Sequence, residues 1–442
     1  MKRKIEQTIA SWQAQEGHKP LVIKGCRQCG KTYSVLAYVK QHYRHVVYID
    51  FHREETYKAL FEGSLELDSL LMKISTIRPN IEFVPHETCF VFDEIQECPR
   101  ARASLKYFYM DGRFDCICTG SLLGVNGYNS SSQEEDTTPI PVGYEYIIEM
   151  YPMDFEEFLW ANGISEQVVQ YLRSALNSLS RVEEAIHLRM RELLLQYTVV
   201  GGMPNVVKTF VESRNLGEVL RLQQGIVEEY KSDMLKYAPT ADKPKIRKCF
   251  ESIPAQLSRE NKKFTYSGIQ SGARAKDYDG SLQWIEDAGI IRRCRNLQIT
   301  ELPLDGNAID NVFKVYMADT GLFVSMLEEG TQTDIICGNL LGYKGAIFEN
   351  LVADIFGKMG RRLYYFRKDS GLEIDFVIRY RGKCVLVECK ANTGHTKSAR
   401  TILAHPEKYH IEQVIKLGDY NIGQTEQILT LPLYMTFLLT DR

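Results

Sequence analysis

The stretch "PLVIKGCRQCGKTYSVLAYVKQHY" at residues 20–43 contains two overlapping motifs with incompatible chemistry. Cys26 and Cys29 form a C-x-x-C, which is the spacing of redox pairs and of half zinc sites. Gly25 to Thr32 also read G-x-x-x-x-G-K-T, the pattern of a phosphate-binding loop. The choice between these interpretations decides the fold.

The flanking sequence favours the phosphate loop. "PLVIKG" predicts a short buried strand, and "KTYSVLAYVKQHY" carries apolar residues at a helical period. A phosphate loop must leave a strand and enter the N-terminus of a helix, where backbone N–H groups bind anions. The sequence contains no second C-x-x-C or Cys/His pair to complete a zinc site, so the metal interpretation is the weaker one.

The loop residues have distinct expected roles. Gly25 and Gly30 allow the backbone angles of an anion-binding nest, Lys31 reaches the β- and γ-phosphates, and Thr32 binds Mg²⁺. The expected nucleotide contacts comprise Gly25, Cys26, Arg27, Gln28, Cys29, Gly30, Lys31, Thr32 and Tyr33. The sequence therefore predicts ATP and Mg²⁺ as cofactors.

A second motif supplies the acids that ATP hydrolysis needs. "ETCFVFDEIQE" predicts a buried strand ending in Asp93, which would hold Mg²⁺ through water, and Glu94, which would activate the attacking water. The next apolar run, "FDCICTGS", ends in Thr119 and Ser121, whose hydroxyls would sense the γ-phosphate. We expect an ATPase with Glu94, Lys31, Thr119 and Ser121 as catalytic residues, although any strand can end in an acidic loop or in T-G-S.

The order of elements predicts an α/β fold. Strands at about residues 20–24, 45–50, 88–93, 114–119 and 144–149 alternate with helices, the pattern of a parallel sheet covered on both faces. Polar residues 126–141, "NGYNSSSQEEDTTPIP", indicate a mobile loop. Beyond the sheet, the chain has a helical period interrupted at "GGMPN", which we interpret as a helical lid.

Residues 243–300 differ in charge from the rest of the chain. They contain twelve Lys or Arg against six Asp or Glu, whereas the whole protein carries a net charge of −3. Short helices followed by "AGIIRRCRN" suggest a winged helix-turn-helix, and Arg292, Arg293 and Arg295 would face phosphates of double-stranded DNA. The alternative is a protein-docking module or an oligomer contact.

The C-terminal part contains a possible second site. Asp375 lies in "LEIDFVIRY", Glu388 and Lys390 close "KCVLVECKA", and Glu349 lies on a preceding helix. Three carboxylates and a lysine on neighbouring elements could hold Mg²⁺ or Mn²⁺ against a phosphodiester. This is the D…E-x-K pattern of restriction-type nucleases; a salt-bridged, inactive version of the same arrangement is the alternative.

Composition excludes several classes of protein. The N-terminus has no apolar signal region, and no run approaches the roughly 18 apolar residues of a membrane span. Several of the eleven cysteines lie in apolar runs, as buried reduced thiols do. We therefore expect a cytoplasmic protein without a membrane partner.

Taken together, the motifs resemble a prokaryotic family of AAA+ ATPases that joins a P-loop module to a C-terminal domain of nuclease-like fold. The matching motifs are "GCRQCGKT", "FDEIQ", "TGS", "YPMDFEEFL", "GGMP", "DAGII", "MADTGL", "GAIFENLV" and "GLEIDFVI". The resemblance implies that Gly202 and Pro204 pack near the nucleotide base. Family members usually carry an arginine before "YP"; here Gly143 is followed by Tyr144, which leaves Arg100 and Arg102 as substitutes.

These inferences predict four domains. A P-loop AAA+ domain at 1–152 precedes a helical lid at 153–242, a winged helix at 243–302 and a restriction-endonuclease-like domain at 303–442. The expected function is ATP hydrolysis coupled to action on or near DNA. The alternatives are a nucleotide-dependent switch that signals to a protein partner, an ATP-gated nuclease, or a processive motor. The candidate partners include further copies of the chain, as a homo-oligomer.

Overall fold

The computed structural model describes residues 1–125, 143–238, 241–259, 262–339, 344–390 and 397–441. The chain forms two compact units, Met1–Pro152 and Met153–Arg442. The segment predicted as a mobile loop, 126–141, lies outside the described residues. The predicted domain boundaries beyond residue 152 stay predictions.

The first unit is a parallel sheet with helices. Its elements are α1 (Lys4–Gln13), β1 (Leu21–Gly25), α2 (Lys31–His42), β2 (His45–Asp50), α3 (Leu67–Ile77), β3 (Thr88–Asp93), α4 (Pro99–Asp111), β4 (Asp115–Ser121), α5 (Leu122–Val125) and β5 (Tyr146–Glu149), with 3-10 helices at Glu55–Phe61 and Ile95–Glu97. The strand order is β2-β3-β4-β1-β5, and every pairing is parallel. Because the strands are parallel, the polar residues at their carboxyl ends share one edge of the sheet.

An aromatic core fixes β3 in this sheet. Phe90 and Phe92 are fully buried, and Phe92 packs edge-to-face on Phe61 at 5.5 Å and on Phe108 at 5.7 Å between ring centroids. Such pairs add stability beyond the area they bury. The core therefore holds the end of β3, and with it Asp93, in a defined position.

The second unit begins with helices and continues into two sheets. Its helices are α6 (Phe155–Ala161), α7 (Glu166–Ser178), α8 (Glu184–Val200), α9 (Pro204–Ser213), α10 (Leu216–Tyr237), α11 (Lys243–Leu257), α12 (Ala275–Asp287), α13 (Thr320–Ser325), α14 (Thr331–Cys337), α15 (Lys344–Lys358), α16 (Lys397–Leu403) and α17 (Pro406–Tyr409). Its strands are β6 (Ile291–Leu297), β7 (Ala308–Met317), β8 (Leu363–Arg367), β9 (Glu373–Ile374), β10 (Phe376–Tyr380), β11 (Lys383–Cys389), β12 (Val414–Gly418), β13 (Gly423–Thr425) and β14 (Ile428–Pro432). Short 3-10 helices lie at Tyr266–Gly268, Leu304–Asn307 and Leu433–Leu438.

The two sheets of this unit have the orders β7-β6-β8-β9 and β10-β11-β12-β14-β13. Strands β6 and β7 form an antiparallel hairpin after α11 and α12, which is the element order of the predicted winged helix. Strand β6 also pairs in parallel with β8. The predicted boundary at residue 302 thus falls inside a hairpin whose sheet continues into the C-terminal part.

Candidate functional site

The phosphate loop joins β1 to α2 at the carboxyl edge of the first sheet. Gln28 and Gly30 both have left-handed backbone conformations, with φ of 62° and 94°. A Cβ at position 25 would lie 2.3 Å from the carbonyl oxygen of Met150 and 2.9 Å from Cys29 Sγ, so only glycine fits there. The glycines that the sequence identified are therefore required by the local backbone.

Lys31 lies inside the loop at the start of α2. Its side chain is buried, and Nζ donates to the carbonyl oxygens of Gly25 at 3.0 Å and Cys26 at 2.9 Å. These carbonyls hold the ammonium group within the turn of the loop. A phosphate oxygen bound by the loop would compete for the same donor.

Asp93 accepts hydrogen bonds from three hydroxyl groups of the first unit. Thr32 Oγ1 donates at 2.9 Å and Tyr48 Oη at 2.8 Å, and Thr119 Oγ1 donates to the same oxygen as Thr32. The contact with Thr32 connects the loop to β3, and that with Thr119 connects β3 to β4. The structure thus brings together Thr32, Asp93 and Thr119, which the sequence assigned to one site.

Tyr48 and Asp50 belong to the same edge and were not predicted. Asp50 is the residue paired with Asp93 in the β2–β3 register, and Tyr48 Oη lies 3.5 Å from an Asp50 oxygen. Burial and its hydrogen bond to Asp93 raise the pKa of the Tyr48 phenol, so it stays a donor. The signal in the sequence was "HVVYID", a strand that ends in an acid beside the predicted Asp93 strand.

Glu94 follows Asp93 in a left-handed conformation, with φ of 54°. Such angles are uncommon for residues other than glycine and often occur at functional sites. The Gln96 side-chain amide donates to the Glu94 carboxylate. A Cβ at Gly124 would lie 2.2 Å from Gln96 Cγ, and one at Gly120 would lie 2.7 Å from Gln96 Oε1. The "FDEIQ" and "TGS" motifs therefore pack on each other, and Gln96 orients Glu94.

Ser121 has a different role from Thr119. Its hydroxyl accepts the Gly124 backbone N–H at 3.2 Å and so caps the short helix α5. Of the two hydroxyl residues predicted at the end of β4, only Thr119 is shown in contact with Asp93.

Arg3 supports the loop from outside and was also not predicted. Its guanidinium is buried and donates to the carbonyl oxygens of Cys29 at 2.9 Å and Tyr151 at 2.8 Å. It therefore links the phosphate loop to the residue that opens the "YP" motif. Nothing in "MKRKIEQ" distinguishes this arginine from its basic neighbours.

The two arginines considered as a finger are bound within the first unit. Arg100 donates to the carbonyl oxygens of Phe61 at 2.7 Å and Gly63 at 2.9 Å. Arg102 is buried and forms a bidentate ion pair with Glu145 at 2.6 and 3.1 Å. These contacts give both arginines structural roles.

Gly202 and Pro204, predicted near the nucleotide base, lie in the second unit. The Gly202 N–H donates to Asp319 at 2.7 Å, and a Cβ at Gly202 would lie 2.0 Å from the Met153 carbonyl oxygen. Pro204 opens α9 at the first helical position. Lys358 pairs with Asp319 at 3.1 Å, so "GGMP", "MADTGL" and α15 form one buried cluster. This packing explains why residue 202 is a glycine. The contact of Gly202 and Pro204 with the nucleotide base stays a prediction.

In the C-terminal part, Glu349 is neutralised by lysines. Lys262 Nζ forms a hydrogen-bonded ion pair with one Glu349 oxygen, while Lys314 Nζ lies 3.6 Å and Tyr316 Oη 3.1 Å from the other. Burial opposes ionisation of Glu349, but Lys314 and Lys262 outweigh it and lower its pKa to about 2. Lys314 also pairs with Glu373 at 2.8 Å.

The other predicted metal ligands also have protein partners. Asp375 accepts the Cys389 N–H at 2.8 Å, and burial together with Glu349 raises the pKa of Asp375 to about 7. Glu388 is buried, pairs with Lys390 at 3.1 Å and accepts the Ala399 N–H at 3.2 Å. Within the ranges that the structure describes, no group of three His, Cys, Asp or Glu is placed to hold a metal ion. Glu349, Asp375 and Glu388 thus have partners within the protein, and their assignment as metal ligands stays a prediction.

Of the three arginines predicted to face DNA, Arg293 requires a correction, whereas the roles of Arg292 and Arg295 stay predictions. Arg293 has a buried side chain that pairs with Asp279 at 3.1 Å and Glu286 at 3.2 Å. Arg292 lies against Gly357, where a Cβ would meet its Nε at 2.2 Å. A buried, paired guanidinium is not available to a phosphate backbone. The exposed basic residues of this segment include Arg274 and Lys276 at the start of α12.

Comparison with known proteins agrees with the fold of the first unit. Residues 17–159 match the family model described as "AAA domain", which supports an AAA-type ATPase. Residues 191–333 and 344–434 match two models described as "Domain of unknown function", DUF8612 and DUF4143. The fold is mixed α/β, with a five-stranded parallel sheet of the P-loop ATPase type and further sheets in the second unit.

Similar solved structures have low sequence identity. The Walker-type ATPase PABY2304 of Pyrococcus abyssi is 13% identical, with a TM-score of 0.44, over 74% of this chain and 95% of that one. AMPPCP-bound DnaA from Aquifex aeolicus is 13% identical, with a TM-score of 0.26, over 64% and 86%. The STAND protein PH0952 from Pyrococcus horikoshii is 12% identical, with a TM-score of 0.26, over 81% and 45%. No relative was found among curated proteins.

None of the described helices is long and apolar enough to cross a membrane.

Proposed function

We propose that the protein binds ATP with Mg²⁺ and hydrolyses it at the carboxyl edge of the first sheet. This proposal rests on one observation. Thr32 from the loop and Thr119 from the next strand both donate hydrogen bonds to Asp93. A hydroxyl and a carboxylate at this position suit Mg²⁺, which prefers oxygen ligands. When bound, Mg²⁺ would neutralise charge on the β- and γ-phosphates.

The residues of the chain supply the remaining steps. Backbone N–H groups of the loop and Lys31 bind the phosphates, and the N-terminus of α2 adds a favourable dipole. Glu94 accepts a proton from the attacking water, while Gln96 fixes the direction of its carboxylate. The Thr119 hydroxyl, which is hydrogen-bonded to Asp93, senses the γ-phosphate.

The experiment that tests ATP binding compares two lysines of one helix. Lys31→Ala removes the phosphate-binding ammonium, whereas Lys40→Ala removes an exposed lysine from the same helix α2. We expect titration of ATP and Mg²⁺ to show binding by the wild type and by Lys40→Ala and none by Lys31→Ala. Equal binding by all three proteins would overturn the proposal.

The second part of the proposal is that the protein binds double-stranded DNA. The surplus of basic residues in 243–300 and the order of α11, α12 and the β6–β7 hairpin support a winged helix that contacts phosphates. With Arg293 assigned to the interior, Arg274 and Lys276 become the candidate phosphate contacts. ATP hydrolysis measured with and without double-stranded DNA tests whether the two activities are coupled.

A specific observation favours a second candidate function for the C-terminal part. Lys262 and Lys314 neutralise Glu349, and Lys390 pairs with Glu388, so these two carboxylates need no metal ion to balance their charge. This favours an interaction module, in a nucleotide-dependent switch, over a metal-dependent nuclease. Cleavage of DNA by the wild type that is lost in Asp375→Ala would contradict this candidate.

A further inference from the structure

A cavity of about 360 Å³ lies in the first unit, at the edge of the sheet opposite to the phosphate loop. Its lining includes Pro20, which comes directly before β1, and Asp115, which opens β4. The phosphate loop and Thr119 lie at the carboxyl ends of the same two strands. Strand β1 has 5 residues, which at a rise of ~3.3 Å each separate the two edges by roughly 15 Å. The cavity is therefore distinct from the site proposed for ATP.

The turn that follows α1 forms one wall of this cavity. The chain passes through Gly17, whose φ is 66°, and His18 then fixes the turn. The His18 ring lies 2.8 Å from the Gln15 carbonyl oxygen and 3.0 Å from Asp115 Oδ1, 97 positions later in the chain. Trp12 packs edge-on against His18, with 4.3 Å between ring centroids. Contacts with β4 thus hold this wall in place.

The end of α4 forms the facing wall. Phe108 and Tyr109 lie in the last turn of this helix, and the Gly112 N–H closes it by donating to the Phe108 carbonyl oxygen at 3.0 Å. Phe114 follows and also lines the cavity. With Trp12, the lining contains four aromatic side chains, of which Tyr109 is the most accessible at 37% exposed. Such walls suit a ligand with an aromatic body.

The charges around the cavity favour a positive ligand. Asp115 and Glu16 line it, whereas none of the described lining residues is a lysine or an arginine. Both α1 and α4 end here without a basic residue in the last turn, and a helix C-terminus carries about −0.5 elementary charge. The neighbouring Arg113 is already paired with Asp111 at 2.7 Å and with Asp68. The cavity therefore lacks a cation of its own to balance both helix ends and both carboxylates.

The two carboxylates differ in their availability. Asp115 accepts a hydrogen bond from the Tyr43 hydroxyl and contacts His18, so its oxygens have partners within the protein. Glu16 is exposed, and among the described residues none forms a hydrogen bond or an ion pair with its side chain. Glu16 is therefore the carboxylate that a bound cation would meet.

The size of the cavity limits the ligand. Pockets for small molecules commonly measure ~300–1,000 Å³, and an apolar cavity of about 150 Å³ is large enough for benzene. The space here thus accommodates an aromatic ring together with a short side chain. Because aromatic faces attract cations, an ammonium group beside Glu16 and a ring against Tyr109 would both be favourable.

We propose that this cavity binds a small organic monocation, an ammonium group carried on an aromatic body. The inference goes beyond the proposed function, because neither ATP nor DNA enters the argument. The triphosphate of ATP, which is strongly negative, does not suit a cavity with two carboxylates and two helix C-termini.

The test titrates the full chain with three probes of similar size that differ in charge. 2-Phenylethylammonium is positive, 2-phenylethanol is neutral and 3-phenylpropanoate is negative. We expect isothermal titration to show that the ammonium binds about tenfold or more tightly than the alcohol, and the carboxylate more weakly still. Equal affinities of the three probes, or no binding of the ammonium up to ~20 mM, would overturn the inference.

Two matched double variants locate the binding site. Glu16→Gln/Tyr109→Ala changes the exposed carboxylate and the accessible ring of the cavity, whereas Glu66→Gln/Tyr146→Ala makes the same changes at exposed positions outside it. Affinity for 2-phenylethylammonium should fall by about tenfold or more in the first variant and stay within about twofold in the second. Equal affinities of the two variants would contradict the assignment.

The single variant Glu16→Gln tests the charge separately, at an exposed position where packing is not affected. It should weaken binding of 2-phenylethylammonium by about threefold or more and leave the affinity for 2-phenylethanol unchanged. A parallel loss for both probes would mean that Glu16 does not recognise the ammonium group.

ATP and a lysine derivative separate this site from its alternatives. Because the two edges of the sheet are apart, saturating ATP with Mg²⁺ should leave the affinity for 2-phenylethylammonium unchanged; displacement would place the ammonium at the phosphate loop and overturn the inference. Tighter binding of N-acetyl-lysine methylamide than of 2-phenylethylammonium would assign the cavity to a side chain of another protein and contradict a small aromatic ligand. Failure to bind ATP would overturn the proposed function alone, so the two failures are distinguishable.

Discussion

The Thr32 hydroxyl donates a 2.9 Å hydrogen bond to Asp93, a residue 61 positions later in the chain. This bond joins the last residue of the phosphate loop to the end of the neighbouring acidic strand. The two motifs that the sequence suggested separately therefore form one site. Tyr48 and Thr119 complete the set of hydroxyl donors to the same carboxylate.

The first prediction concerns Tyr48. Tyr48→Phe removes one donor to Asp93 and keeps the ring, so the carboxylate loses an orienting contact. We expect the Mg²⁺ concentration for half-maximal ATP hydrolysis to rise by roughly three- to tenfold. Tyr109→Phe, in the same unit, is the control and should change nothing. An unaltered Mg²⁺ dependence in Tyr48→Phe would show that Tyr48 does not orient Asp93.

The second prediction concerns the glycine of "GGMP". A Cβ in Gly202→Ala would clash with the Met153 carbonyl oxygen at 2.0 Å and crowd Lys358 Nζ at 2.8 Å. We expect urea unfolding to show a loss of about 2–4 kcal/mol. Gly225→Ala in α10 meets nothing within 4 Å and should stabilise the protein by up to about 1 kcal/mol. Equal stabilities of the two variants would contradict the packing account.

The sequence predicted the phosphate loop well because its requirements are local. Gly25, Gly30 and Lys31 lie within one turn, and the flanking strand and helix have clear periods. Tyr48 and Arg3 were missed because their roles depend on which strands pair and on where the N-terminal helix packs. The C-terminal interpretation missed one partner: Lys262, which forms an ion pair with Glu349, lies 87 positions earlier in the chain. Spacing on one hairpin could not reveal such a partner.

The third prediction is a dependence of stability on pH. Asp375 has a pKa of about 7 in the folded protein, whereas an unfolded aspartate titrates near ~3.9. Folding favours the protonated form of Asp375. Its contribution to the unfolding free energy is therefore complete below about pH 4 and is lost as the pH rises through about 7. Asp375→Asn stays neutral and keeps an oxygen for the Cys389 N–H.

We therefore expect the unfolding free energy of Asp375→Asn to exceed that of the wild type, and this excess to grow by about 1–3 kcal/mol between pH 5 and pH 8. Urea unfolding at the two pH values measures the difference. A constant difference between the two proteins across this range would mean that Asp375 is ionised throughout.

The fourth prediction separates structural from phosphate-facing arginines. Arg293→Ala removes a buried guanidinium and its ion pairs with Asp279 and Glu286, and should destabilise the protein by about 1–3 kcal/mol. Arg274→Ala/Lys276→Ala, at exposed positions, should leave stability unchanged and reduce the slope of log affinity for DNA against log salt by about two units. A salt-independent affinity, or an unchanged slope in the double variant, would favour a protein-docking role for α12.

The central claim is that Glu94 activates water for ATP hydrolysis, and Glu94→Gln tests it most directly. The amide keeps the size of the side chain but cannot accept the proton, so we expect ATP to bind with a similar Kd while the hydrolysis rate falls by ~10²-fold or more. The measurement is ATP binding and ATP hydrolysis on the same preparations of wild type and variant. Equal hydrolysis rates would contradict the account.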